Sequence, residues 1–201
     1  MTTEVGLRER KKQKTRRLLA EIALRRFVEK GVDATTVEEI CEEAEVSVST
    51  FFRYFPSKEA AAYPDEAEKV QVVRDVLEGA PDKEPLHKTI RRAALALTEY
   101  DLDGKVEFHR WLELLRDEPA LAAYGLRLQT TSMETFTKLI AARMGVDPVF
   151  DLRPGLGVGM AYAAVNNAWS VWTARDSEGD IRDLINEAFD VIDDGLKKAL
   201  A

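Results

Sequence analysis

The 201-residue chain has a single cysteine, Cys41, and only two histidines, His87 and His109, which lie far apart. A lone thiol closes no internal disulfide, and no Cys/His spacing matches a metal site, which excludes disulfide scaffolds and zinc modules and suggests a reducing compartment. No apolar run reaches the length of a membrane span, and the basic N-terminus has no apolar segment behind it. Neither a transmembrane helix nor a signal peptide is expected, and the cytoplasm is the expected location. Catalytic signatures are missing as well: there is no G-x-S-x-G and no P-loop, and Glu107 and His109, two apart, diverge around a helix and do not make a metal-binding pair of the di-iron bundle type. An enzyme is not expected, nor is a cofactor. No stretch alternates at period two, and there is no internal repeat or low-complexity segment. The fold class that survives is all-α.

What is present is a chain with 45% hydrophobic residues, ample for a buried core, and a net charge of -7. Taken alone, that charge argues against a nucleic-acid partner, but its distribution matters more. Residues 1–17 hold Arg8, Arg10, Lys11, Lys12, Lys14, Arg16 and Arg17 against only Glu4 and Glu9, whereas acid dominates the remainder.

The first helix is predicted over about 7–30, with Leu19, Ile22, Ala23 and Phe27 at helical spacing and Gly31 as a left-handed cap. Thr35-Thr36-Val37-Glu38 reads as a capping box with Thr35 as N-cap, opening a short second helix on which Val37, Ile40, Cys41 and Ala44 are apolar. Ala44-Glu45-Val46 forms a turn, and Ser47 caps a third helix that runs to about Tyr54 and ends at Pro56-Ser57. Two short helices joined by a tight turn behind a longer one make a helix-turn-helix, whose second helix enters a DNA major groove. A two-turn helix is not stable alone, so Phe51 and Phe55, at i and i+4, should anchor it. Its other face then presents Ser47, Ser49, Thr50, Arg53 and Tyr54, donors suited to phosphate. Further helices are predicted over about 57–78, 85–100, 104–116, 119–143, 152–175 and 180–199, with Pro64 dividing the first of these into two segments.

The series Gly31, Thr35-Thr36, Ile40, Val46-Ser47, Phe51-Phe52-Arg53-Tyr54-Phe55 and Ser57-Lys58-Glu59 resembles the TetR family of bacterial transcriptional repressors, over about residues 8–60. The resemblance implies an N-terminal DNA-binding domain (1–56, with a basic arm) and a helical ligand-binding and dimerisation domain (57–201). It also implies release of operator DNA on binding a small effector. It places Thr36, Ser47, Val48, Ser49 and Thr50 at DNA-facing positions and Lys58 at a phosphate-contacting one. Arg8, Arg10, Lys11 and Lys12 supply the arm. Glu45 stands where the family usually has Gly, and Phe52 where it often has Tyr. Ser47-Val48-Ser49 includes no side chain capable of a bidentate base contact, so readout should rest on thymine methyls, water, DNA shape and the basic arm.

In the second domain, Gly155, Gly159, Ala163 and Asn167 form a small-residue stripe at i+4 steps, and the last helix, with an apolar face of Ile181, Leu184, Ile185, Ala188, Phe189, Ile192 and Leu196, is its expected partner. By the resemblance, these two helices also form the homodimer interface. Trp111, Tyr124, Leu128, Phe136, Met160 and Trp169 are candidates for lining an effector cavity, with Asn166 to orient the molecule, and their apolar character favours a hydrophobic ligand. The competing reading is an adaptor whose head no longer binds DNA, motivated by the acidic second helix with Glu38, Glu39, Glu42, Glu43 and Glu45.

Overall fold

The computed structural model describes residues 6–81, 83–102, 114 and 118–200. Among them are eight α-helices, one short 3-10 helix and no strand: α1 (Leu7–Lys30), α2 (Val37–Glu43), α3 (Val48–Tyr54), the 3-10 helix (Glu59–Ala62), α4 (Glu66–Glu78), α5 (Leu86–Leu102), α6 (Pro119–Met144), α7 (Leu152–Ala174) and α8 (Ile181–Leu200). The helix predicted over 104–116 lies outside the described residues, apart from position 114. The chain divides into two compact units, Met1–Glu66 with Val106–Leu128, and Ala67–Lys105 with Gln129–Ala201.

The first unit is built on one apolar cluster. Leu19, Ile22, Ala23 and Phe27 of α1, Ile40 and Cys41 of α2, and Phe51 of α3 all turn inward, with Val32, Phe55, Ala60–Ala62 and Leu121 completing the cluster. Phe51 and Phe55 have almost no exposed surface, and their rings meet at 5.5 Å. Fully burying such a ring is worth about 3–5 kcal/mol on truncation to Ala, and this anchoring is what keeps a seven-residue helix ordered. Burial pushes the Cys41 thiol up, and the neighbouring Glu38 adds to the effect. Gly31 ends α1 with φ +84° and ψ 161°. This is not the left-handed helical cap expected from sequence but a region open essentially to glycine alone.

The predicted helix over 57–78 is two pieces. Pro64 has no N–H to offer the helix and disfavours helical geometry at Tyr63, which sits at φ -127°, ψ 63°. The 3-10 turn stops at Ala62, and α4 restarts at Glu66, where the first unit gives way to the second. The Tyr63 hydroxyl donates to Leu121 O at 2.8 Å and its ring stacks on Tyr124 at 5.7 Å. Burial, then Glu66, raises its pKa to about 12, so the donor proton stays in place.

In the second unit, α7 and α8 form a helical hairpin with α5 against both. Both hairpin helices begin with the same device. Asp151 accepts from the Arg153 amide at 2.9 Å and grips its guanidinium, and Asp180 does the same for Arg182. The guanidinium holds each carboxyl below its ordinary range. Trp172 closes the connection, its indole N–H donating to Gly179 O at 3.0 Å. Val158, Ala164, Ala168 and Trp172 of α7 and Ile181, Ile185 and Phe189 of α8 supply buried apolar surface. The stripe expected to receive α8 does not receive it. A Cβ on Gly159 would meet nothing within 4 Å, and one on Gly155 would touch only Thr137 of α6, at 3.9 Å. Close approach occurs instead at Gly195 of α8, where a Cβ would overlap the Met160 methyl.

Candidate nucleic-acid interface

The interface is assembled from the N-terminal ends of α2 and α3 and the basic first turns of α1. At α2 the capping box lies one residue later than the sequence reading placed it. Thr36, not Thr35, is the N-cap: its hydroxyl accepts from Glu39 N at 3.2 Å, and Glu39 accepts from Thr36 N at 2.9 Å. Consecutive threonines followed by consecutive glutamates fit S/T-x-x-E in either register. Burial decides between them, because Thr35 turns inward, donating its hydroxyl to Gly31 O at 2.8 Å, while Thr36 stays at the surface.

The α2–α3 turn is tight because Glu45 adopts φ +52°, the left-handed region that glycine enters at least cost. Ser47 then caps α3 as predicted, accepting from Thr50 N at 3.2 Å. Its hydroxyl also meets those of Ser49, at 2.9 Å, and Thr50, at 3.0 Å. The first turn of α3 thus carries three hydroxyls, with that of Ser47 bridging the other two, at a helix N-terminus, a donor set suited to a phosphate or base edge. Along the same helix Ser49, Phe52 and Arg53 are exposed, and Val48 and Tyr54 are half-buried. Arg53 stacks over the Tyr54 ring at 5.1 Å. Phe52 is 52% exposed, an apolar side chain on an otherwise polar surface.

Lys11 and Lys12 are exposed on α1; the backbone at Arg8 and Arg10 is helical, and their side chains lie outside the described ones. Deeper in α1, Arg16 lies over the Phe55 ring at 5.7 Å, joining the arm to the anchor of α3.

Two of the four carboxylates of α2, Glu39 and Glu43, are offset by cations of α1. Arg26 bonds Glu43 at 2.9 Å, Arg25 pairs with the same carboxylate, and Lys30 holds Glu39 at 2.6 and 2.7 Å. The Lys30 contact, with the Thr36 amide and hydroxyl, lowers the Glu39 pKa to about 2. Sequence reasoning missed these three cations; their signal was Arg25, Arg26 and Lys30 on the last turns of the helix preceding an acidic one. Lys58 is also committed internally: its ammonium donates to Val32 O at 2.6 Å and Thr35 O at 3.0 Å.

The candidate effector residues fall in different places. Trp111 lies outside the described residues, Tyr124 and Leu128 belong to the first unit, and Phe136, Met160, Asn166 and Trp169 belong to the second. Phe136 is buried against Tyr162, with ring centres 6.3 Å apart, and Trp169 meets Trp172 edge-on at 5.4 Å, whereas Asn166 is exposed. An open concavity of about 570 Å³ is lined by other residues, Val72, Ala96, Glu99, Tyr100, Leu102 and Arg182. No helix among the described residues is long and apolar enough to cross a membrane.

Comparison with known proteins agrees with this geometry. The family model for bacterial regulatory proteins of the tetR family matches residues 19–60, and that for the MftR C-terminal domain matches residues 84–197. The chain is 32% identical to the HTH-type transcriptional regulator TcmR of Streptomyces glaucescens, over 97% of this chain and 88% of that protein. It is 23% identical to the putative mycofactocin biosynthesis transcriptional regulator MftR of Mycobacterium tuberculosis, over 94% of each. Among solved structures, the fatty acid degradation regulator FadR from Bacillus halodurans shares the fold at a TM-score of 0.59 and 16% identity, covering 89% of this chain and 94% of that one. A transcriptional regulator from Aquifex aeolicus VF5 does so at 0.52 and 17%, covering 89% and 98%. With one family model on the helix-turn-helix and a second over most of the remaining helices, the chain belongs to the TetR family of transcriptional regulators, DNA-binding proteins rather than enzymes, and has an MftR-like C-terminal domain.

Proposed function

We propose that the chain is a homodimeric repressor that binds a pseudo-palindromic operator in the cytoplasm and releases it when a small hydrophobic effector binds. Residues 1–56 form the DNA-binding domain and residues 57–201 the effector and dimerisation domain. Ser47, Val48, Ser49, Thr50, Arg53 and Tyr54 meet the major groove, with Phe52 as an apolar contact to thymine methyls. Thr36 presents the α2 amides to phosphate, and Arg8, Arg10, Lys11 and Lys12 track the backbone.

The observation that carries the dimer is the surface of α7. From Pro154 to Ala174 the sequence has no charged residue, although Gly155, Leu156, Ala163, Asn166, Asn167, Ser170 and Val171 are exposed. A solvated helix face is ordinarily charged, and a mid-helix glycine costs about 1 kcal/mol relative to alanine. Gly159 returns nothing for that cost within one protomer. A second copy against this face accounts for both features, and the exposed Leu152 extends the apolar surface. The exposed positions of α8 include Arg182, Asp183, Glu187 and Asp190, so α7 contributes the larger share of the contact.

The aromatic and sulfur side chains of the second unit, Phe136, Tyr162, Met160 and Trp169, support a hydrophobic effector. Pro64 sits where the two units divide, which supports a hinge through which effector binding is passed to the head. Sedimentation equilibrium of wild type and Leu156→Glu tests the reading: the wild type should be a dimer and the variant a monomer with weakened operator binding. A wild-type monomer at operator-binding concentrations would overturn it.

A further inference from the structure

Lys58 follows the recognition helix, and the family resemblance assigns it to the DNA backbone. Its geometry assigns it elsewhere. The ammonium makes two hydrogen bonds, at 2.6 and 3.0 Å, to the carbonyls of Val32 and Thr35 in the loop between α1 and α2. Val32 is buried, and its carbonyl, which also accepts from Thr35 N at 3.2 Å, is fully satisfied inside the protein. The Thr35 carbonyl belongs to the peptide unit that leads into the α2 cap, and the N–H of that same unit, on Thr36, donates to Glu39 at 2.9 Å. Glu39 is held in turn by Lys30 at 2.6 and 2.7 Å. One peptide plane therefore carries a cation on its oxygen and an anion on its hydrogen, and charge-assisted bonds of this kind are about twice as strong as neutral ones.

We propose that Lys58 is a positioning residue that fixes the Thr35–Thr36 peptide, and through it the DNA-facing start of α2, and is not a phosphate ligand. Two of its three donors are engaged by the loop. Glu39 of α2, itself held by Lys30 of α1, and Lys58 from the segment after α3 grip one peptide unit from its two sides, so three parts of the head set the aim of Thr36.

The inference rests on the DNA-binding reading for its functional half only, and the test separates the two. In the DNA-free protein, amide hydrogen exchange at Thr36 should quicken in Lys58→Met; an unchanged rate overturns the proposal whether or not DNA is bound. With a short fluorescent duplex selected in vitro against the wild-type protein, Lys58→Met should lose about tenfold in affinity, counted per active molecule. The slope of log affinity against log salt should be retained. A phosphate ligand would instead lower that slope by about 0.9, which overturns the proposal. The loss should also vanish in a Thr36→Ala background, where an undiminished loss is the contrary result. Lys58→Arg keeps the charge but not the single-atom bridge to two carbonyls, and it covers the case in which Lys58→Met does not fold. A positioning role predicts weakened binding by this variant, and a phosphate contact predicts wild-type affinity. Absence of any duplex binding by the wild type would remove the DNA reading and leave the exchange result to decide the role of Lys58.

Discussion

Replacing Glu45 by glycine should make the protein more stable, although the side chain is exposed. Glu45 holds φ +52° in the turn between α2 and α3. For an L-residue the left-handed region costs about 1–2 kcal/mol, because Cβ crowds the following carbonyl. Glycine escapes that cost but gives up about 0.4–1 kcal/mol through the larger entropy of its unfolded chain. The net expectation is a gain of about 0.5–1 kcal/mol, or about 1–4 °C in Tm for a chain of this size. The turn's backbone bonds, Glu45 N to Glu42 O at 3.2 Å and Val46 N to Cys41 O at 3.0 Å, are compatible with either residue. Glu45→Ala is the control, since it removes the same carboxylate and keeps the Cβ. Urea and thermal denaturation of the three proteins, followed by circular dichroism, should rank Glu45→Gly above both others. Equal stability of the Gly and Ala variants would refute the reasoning, because any gain would then come from charge and not from the backbone. Both variants remove a negative charge from the head and should tighten DNA binding alike.

Lys11→Ala with Lys12→Ala should lower the salt dependence of DNA binding by about 0.9 for each phosphate that is no longer neutralised, as measured by anisotropy across a salt series. An unchanged slope denies the arm its role. Glu39 titrates at about 2 in the folded protein against an ordinary 4.5, so it contributes stability above about pH 4.5 that is lost as pH falls towards 2. Glu39→Gln should flatten the loss of urea resistance over that window, and an acid limb identical to wild type is the contrary outcome. Pro64→Ala should join the 3-10 turn to α4 and change the effector concentration that releases preformed operator complexes more than it changes effector-free DNA affinity. Superimposable release curves would leave the hinge without support.

The helices of the head are legible in the sequence because each is set by a local rule. Apolar spacing buries Leu19, Ile22 and Phe27, the Ser47 hydroxyl caps α3, and the ring pair Phe51 and Phe55 faces inward. Local rules fail where two registers satisfy them equally, as at Thr35 and Thr36, and where a long side chain has several partners within reach. Lys58 is such a case, because its bonds close over separations of 26 and 23 residues. The break at Pro64 follows from a missing N–H and is visible in advance. The destination of the Gly155–Asn167 stripe is not, since helical spacing shows that a face is small without showing whether the same chain or another covers it. Apart from Asn166, the candidate effector residues are united by their apolar or aromatic surface alone, and that property does not distinguish a cavity wall from ordinary core such as the buried Phe136.

Footprinting of the protein on its operator is the most direct measurement of whether this chain is a dimeric reader of DNA. The account predicts two protected half-sites related by a dyad, on one face of the duplex and about 34–36 Å or a multiple apart, since two heads must reach successive major grooves. Both protections should weaken together in Leu156→Glu, which disturbs only the proposed α7 contact. A single asymmetric half-site, bound equally well by wild type and Leu156→Glu, would contradict it.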